Sequence, residues 1–159
     1  MAFLAYGDFL NYYPNSALTQ AQFNLYEGQA ERVLDVLTTG LDNVHKLYDH
    51  YPTKARDVKC IQDAVAHLSN LLFQIDMTAS AYTPSVGADG LASSKVVASR
   101  SSGSESISYA SNVSTSLIEA TKSEDAKMAL LSRTARFYLA GVEDANGVNL
   151  LYMGAYPCT

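Results

Sequence analysis

Apolar residues return every three or four positions in three stretches of the chain. They fall at Phe23, Tyr26, Ala30, Val33, Leu34 and Leu37, then at Val58, Ile61, Val65, Leu68, Leu72 and Ile75, and again at Met128, Leu131, Ala135, Tyr138 and Leu139. Such spacing lays a stripe along one face of a helix. The second stretch is the longest, about five turns at ~3.6 residues each, and is the predicted central core helix. Local chemistry marks the helix ends. Thr19 and Gln22 have the spacing of a capping box, Thr121 and Glu124 repeat it before the last helix, and Thr53 follows the breaker Pro52. Gly40 suits the left-handed position past the end of the first helix, and Gly28 inside it weakens it by up to ~1 kcal/mol relative to Ala while leaving room for close packing. Ahead of these, residues 3–13 are aromatic-rich and close at Pro14-Asn15-Ser16, which predicts a short helical turn or arm. Residues 41–51 carry no clear period.

After Asp76 the pattern lapses. Residues 78–116 are dominated by Ser, Ala and Gly and bury little by themselves. Two pieces read as extended, Lys95-Val96-Val97-Ala98 and residues 105–110, where Ile107 and Tyr109 alternate with Ser106 and Ser108. Ser101-Ser102-Gly103 would join them as a hairpin. Asn146-Gly147 predicts a turn before an apolar tail, Val148 to Gly154. The expected fold class is therefore mainly α: a small helical bundle of three to four helices with an extended β-like central segment and an extended C-terminal tail. One domain, 1–159, would hold the bundle (about 18–77 and 121–140), the extended insertion (about 79–116) and the tail (146–159). Ordering each residue costs ~1–2 kcal/mol of backbone entropy. The serine-rich centre and the tail are thus expected to gain their order from partners, the alternative for the tail being docking onto its own bundle.

Composition narrows the function classes. The chain has 159 residues, 48% hydrophobic and 17% charged, enough for one folded domain. Net charge is −5 and the cations are scattered, so the clustered Lys and Arg needed to displace counterions from nucleic acid are missing. Cys60 and Cys158 make no disulfide framework, and a reducing compartment is the natural expectation. No apolar run approaches the ~20 residues that span a bilayer, and the first residues lack the basic and apolar regions of a signal peptide. A soluble chain, cytoplasmic at synthesis, is expected.

Candidate chemistry is sparse. His45, His50 and His67, with Asp42, Asp49 and Asp63 near them in sequence, contain no histidine pair at helical metal-site spacing, and surface histidines are the simpler expectation. Ser102-Gly103-Ser104 is no nucleophile elbow. Glu27, Glu31 and Asp35 share one side of a helix away from its apolar face, which predicts a solvated row rather than acid-base machinery. Gly87-Ala88-Asp89-Gly90 is too isolated for a phosphate loop. Tyr6, Phe9, Tyr12 and Tyr13 could stack on bases, but without accompanying cations packing is expected. No catalytic, cofactor-binding or metal-binding residue is assigned.

Three stretches, in order, resemble the head-tail connector (adaptor) proteins of tailed bacteriophages. Phe23-Asn24-Leu25-Tyr26-Glu27-Gly28-Gln29-Ala30-Glu31-Arg32-Val33-Leu34-Asp35-Val36-Leu37-Thr38-Thr39-Gly40 is similar to the family's opening helix: an aromatic, then Ala, then a hydrophobic-Asp pair before Thr-x-Gly. Ser104-Glu105-Ser106-Ile107-Ser108-Tyr109 is similar to its Ser-Glu-Ser and Ser-x-Ser-Tyr elements, and Leu150-Leu151-Tyr152-Met153-Gly154-Ala155 to its Leu-Leu-Tyr-Arg-Gly-Val ending. Two departures stand out: Met153 replaces the usual arginine, and residues 79–104 are longer and richer in serine.

The resemblance implies a helical bundle forming a homo-oligomeric, dodecameric ring in the virion neck, after assembly in the host cytoplasm. Its partners would be the portal protein and a tail-side neck, stopper or tail-terminator protein. Genomic DNA would pass through the channel without sequence-specific binding, and no membrane, cofactor or catalysis is implied. The central segment, Glu105, Ser106, Ile107, Ser108 and Tyr109, would meet neighbouring subunits, and the tail, Leu150, Leu151, Tyr152, Met153 and Gly154, would bind the portal. Two other classes stay open: an unrelated helical protein-interaction module, and a small hydrolase or nuclease.

Overall fold

The chain is mainly helical. A computed structural model describes residues 3–86, 92–101, 106–109 and 115–157. The elements run α1 (Tyr6–Tyr12), α2 (Gln20–Thr38), α3 (Lys46–Asp49), α4 (Ala55–Ala81), β1 (Tyr82–Val86), β2 (Ala92–Ser101), β3 (Ser106–Tyr109), α5 (Thr115–Lys122) and α6 (Glu124–Leu139). They form two units, residues 1–72 with 131–159, and residues 73–130.

In the first unit α2 starts where its cap predicts. Thr19 Oγ1 accepts from Gln22 N while Gln22 Oε1 accepts from Thr19 N at 3.1 Å, so each side chain satisfies an N–H that the first turn leaves open. Phe23, Tyr26, Ala30, Val33 and Leu34 face inward, as the period requires. On α4 the face Ile61, Val65, Leu68 and Leu72 is buried as a stripe, and Leu131, Ala135 and Leu139 of α6 are buried likewise; Ile75, also buried, belongs to the second unit. Each large side chain so buried contributes roughly 1.5–3 kcal/mol. The aromatic N-terminal arm is a real helix that joins this core: Phe9 is fully buried, its ring 4.7 Å from that of Phe23.

Four expectations need correction. Gly40 has no left-handed backbone; Asn43 (φ 64), Gly141 (φ 75) and Gly147 (φ 78) hold those positions. Gly40 is required by close approach instead, because a Cβ there would lie 3.0 Å from the Gly154 carbonyl oxygen. Lys54, not Thr53, opens α4, its carbonyl accepting from Asp57 N and Val58 N. Glu27 is buried rather than solvated, since the backbone of residue 3 comes down on it. Gly28 is exposed and a Cβ there would meet open space, so it serves no close packing.

In the second unit α4 runs on to Ala81, and the Thr78 and Ser80 hydroxyls donate to carbonyls four residues back, which spends their polar groups within the last turns of the helix. β1, β2 and β3 pair antiparallel in that order, with a register shift between Val97 and Ser99. Pro84 lies on β1, an edge strand of that sheet, where a missing N–H is tolerated. Residues 115–122 are helical, although 115 and 116 were expected to close the extended insertion and the next helix to begin only at about 121. The expected cap pair Thr121 and Glu124 is displaced: Thr121 Oγ1 donates to Ile118 O inside α5, and Ser123 caps α6 by accepting from Ala126 N at 3.1 Å. Ser102, Gly103, Glu105, residues 87–90 and Cys158 lie outside the described residues.

Candidate functional site

The C-terminal segment is the only predicted site whose side chains can be placed, and it does not extend away from the chain. Past α6, Gly141 turns the backbone, Leu150 N donates to Val142 O at 2.9 Å, and Glu143 bridges to Asn149. The turn between them is the Asn146-Gly147 turn, organised by buried Asp144. Its Oδ1 accepts from Asn146 N and Val148 N, each at 2.9 Å, and its Oδ2 from the Tyr156 hydroxyl at 2.5 Å. Leu150 is 0% exposed, a core residue of its own unit. Its assignment to a portal-binding tail is therefore corrected: an aliphatic side chain already removed from water has nothing left to offer a partner.

What fastens the segment is a buried cation. Lys46 stands on the one-turn helix α3 with its stem fully covered, and its ammonium donates to Leu150 O at 3.2 Å and to Tyr152 O. Burial holds its pKa below the usual lysine value, opposed by the charges of Asp144 and Asp42. The aromatic ring of Tyr152 lies 5.8 Å from the same ammonium. Farther along, Tyr156 stacks on His50 at 4.8 Å, and its backbone N–H donates to Asp42, holding that carboxyl below its usual range. Tyr152 (48% exposed) and Met153 (45%) are left facing outward, with Leu151 and Gly154 half-buried between them and the core. The arrangement presents one aromatic and one flexible thioether on a fixed backbone, suited to apolar contact with another protein.

Of the other predicted patch, Ser106, Ile107, Ser108 and Tyr109 form β3, while Glu105 lies outside the described residues. The two patches belong to different units.

The opposite end of the chain is fastened by carboxylates. Phe3 N donates to Glu27 Oε1 at 3.0 Å and to Glu31 Oε1 at 2.9 Å, and the Phe3 ring stacks on Tyr51 at 5.2 Å. Burial first, then the neighbouring Glu31, pushes the Glu27 carboxyl up to about 7. A proton held there would be shared toward Glu31 rather than passed to a substrate.

The histidines also find structural employment. His45 is exposed and paired with Asp35 at 2.9 Å, and that bond raises its pKa. His50 lies under Tyr156, and His67, half-buried with its pKa lowered by burial, stacks on Tyr138 at 4.8 Å and meets the Tyr13 hydroxyl. His50 and His67 are thus packed, not free surface groups. Tyr6 and Tyr12 likewise spend their hydroxyls inside the unit, on Leu18 O (2.8 Å) and Asp63 (2.6 Å). Among the described residues no group of three His, Cys, Asp or Glu side chains converges as a metal site, and no helix is long and apolar enough to cross a membrane.

Sequence reading did not find Lys46, Asp144 or Tyr156. Asp144 had a local signal, an Asp two residues before Asn-Gly, which is an Asx-turn pattern. Lys46 and Tyr156 had none, because their partners are distant in sequence. Compared with known protein families, curated proteins and solved structures, the chain matches none of them.

Proposed function

We propose that the protein is a structural component of the virion neck in a tailed bacteriophage, a ring-forming head-tail adaptor that docks on the portal and prolongs the DNA channel toward the tail without catalysis. The reading rests on the three adaptor-like stretches in their order along a mainly helical chain. What the fold adds is a mechanism for the last of them. Residues 149–156 are already ordered by Lys46 and Asp144, so a groove receiving Tyr152 and Met153 does not have to order that backbone as well. Portal docking is assigned to Tyr152 and Met153, with Leu151 and Gly154 as their support and Leu150 as the internal anchor. Glu105, Ser106, Ile107, Ser108 and Tyr109 keep their proposed place at a subunit contact, as one part of the surface between neighbouring copies of a closed ring.

The test is electron microscopy and co-sedimentation of the protein with the portal from the same genome. Tyr152→Ala with Met153→Ser should abolish docking; because the Tyr152 ring also lies 5.8 Å from the Lys46 ammonium, Met153→Ser alone, which leaves that ring in place, should weaken docking with thermal unfolding unchanged. Undiminished docking by the double variant, or no ring at the neck, ends the reading. Deleting residues 150–159 is the poorer experiment, because it removes a core leucine.

A further inference from the structure

The two most exposed large apolar side chains of the first unit lie on different elements and in opposite electrostatic settings. Phe137 on α6 is 76% exposed. It lies in a shallow cavity of about 510 Å³ lined by Arg133, Thr134, Arg136, Phe137 and Tyr138. Arg133 precedes Phe137 by one helical turn, both arginines are exposed, and neither has an ion-pair partner among the described residues. The Phe137 and Tyr138 rings stand perpendicular, with centroids 5.2 Å apart. Leu41, on the loop between α2 and α3, is 86% exposed. Its surroundings are acidic: Asp42 is adjacent and held firmly in its charged form, Asp49 accepts from His45 N, and Asp35 pairs with His45. Asn43 at φ 64 and the Asn43 N to Gly40 O bond fix this loop as a tight turn with Leu41 projecting from it.

We infer that copies of this chain join head to tail, the Leu41 loop of one copy seating in the Arg133/Arg136/Phe137 cavity of the next. Charge selects this occupant. At net −5 two copies repel, and an approach that brings unpaired guanidiniums to carboxylates relieves that repulsion. Two arginines are too few to hold a nucleic-acid backbone, but they suffice to flank one loop carrying Asp beside an apolar tip. Because donor and acceptor patches differ, each copy keeps one of each unused after pairing. The contact therefore propagates, closing into a ring when the rotation allows. The inference rests on the adaptor reading only for its biological setting.

Three variants test it by sedimentation and mass photometry. Arg133→Glu with Arg136→Glu should weaken self-association by ~100-fold or more through like-charge contact. Leu41→Asp should do the same, and Leu41→Ala should weaken it by ~10-fold. All these positions are exposed, and unchanged circular dichroism and unfolding profiles control for folding. Mixing the arginine variant with Leu41→Asp restores one intact contact, so the mixture should give a heterodimer and nothing larger, and added salt should weaken it. Wild-type protein that stays monomeric at high concentration, variants that associate like wild type, or a mixture that gives no heterodimer each overturn the inference. Rings that form on the portal with both variants would sink this contact and leave the adaptor reading standing. Self-association through this contact without any portal docking would do the reverse.

Discussion

At the start of the first unit the backbone N–H of Phe3 is taken by two carboxylates on α2; at its end the carbonyls of Leu150 and Tyr152 are taken by one ammonium on α3. Both segments are irregular, so both carry backbone groups that no ladder satisfies, and an unmet buried group costs about 1–3 kcal/mol. An anion serves exposed donors and a cation exposed acceptors. The difference lies in what each charge has around it. Lys46 has Asp144 and Asp42 to offset its burial, whereas Glu27 has another carboxylate beside it and is driven toward its neutral form. The C-terminal fastening is therefore expected to be the stronger and the less dependent on pH.

The largest effect should come from breaking that stronger end. Lys46→Met removes the donor and leaves two carbonyls without it; a loss of about 3 kcal/mol is expected in chemical denaturation, with faster hydrogen exchange confined to residues 149–156. A loss no greater than that of Glu27→Ala would contradict the ranking.

The weaker end is probed by pH. The Glu27 carboxyl titrates near 7 in the folded chain against 4.5 as its ordinary value, so between those limits the folded state holds more protons than the unfolded one. Stability should consequently fall as pH rises from about 4.5 to about 7, by up to about 3 kcal/mol, and stay at that lower level above. His45, raised by Asp35, works in the same direction as it loses its proton. Glu27→Gln, which keeps an acceptor for Phe3 without the charge, should flatten the slope in a series of thermal melts. An unaltered slope would assign it elsewhere.

Gly40→Ala offers a gentler break of the C-terminal side. Its Cβ would stand 2.9 Å from Asp42 Oδ1 and 3.0 Å from Gly154 O, so the segment must lift slightly; a loss of about 1–2 kcal/mol is expected, together with weaker portal docking. Smallest is Ser69→Ala. The Ser69 hydroxyl is a buried group on α4 fastened by neither device, without a hydrogen-bond partner among the described residues, and its removal should raise stability by about 1 kcal/mol in the same denaturation assay.

Much of the helical frame was legible in the residues. The capping box at Thr19 and Gln22 and the inward faces of α2, α4 and most of α6 follow from spacing alone, because both depend on residues within a few positions of one another; Met128, which the same spacing puts on the α6 face, is exposed. The α5 helix was missed because Thr115-Ser116-Leu117-Ile118 reads as the end of a serine-rich stretch and carries no long period. Glu27 was misread because the rule that puts carboxylates outside describes a helix against solvent, and here chain from another part of the sequence covers that flank. The tail was misread for a related reason: Leu150 and Tyr152 look like unspent apolar surface until the residue that receives their carbonyls is known.

The three long helices α2, α4 and α6, most of their apolar faces and the turn at Asn146-Gly147 were thus settled by the sequence itself, since helix periodicity, caps and tight turns are short-range physics. Where the two irregular ends lie, which charges are buried and which apolar side chains remain outside were settled only by the tertiary structure. The bonds that decide them join residues 24 apart at one end and 104 apart at the other, and no local pattern encodes a partner at that distance.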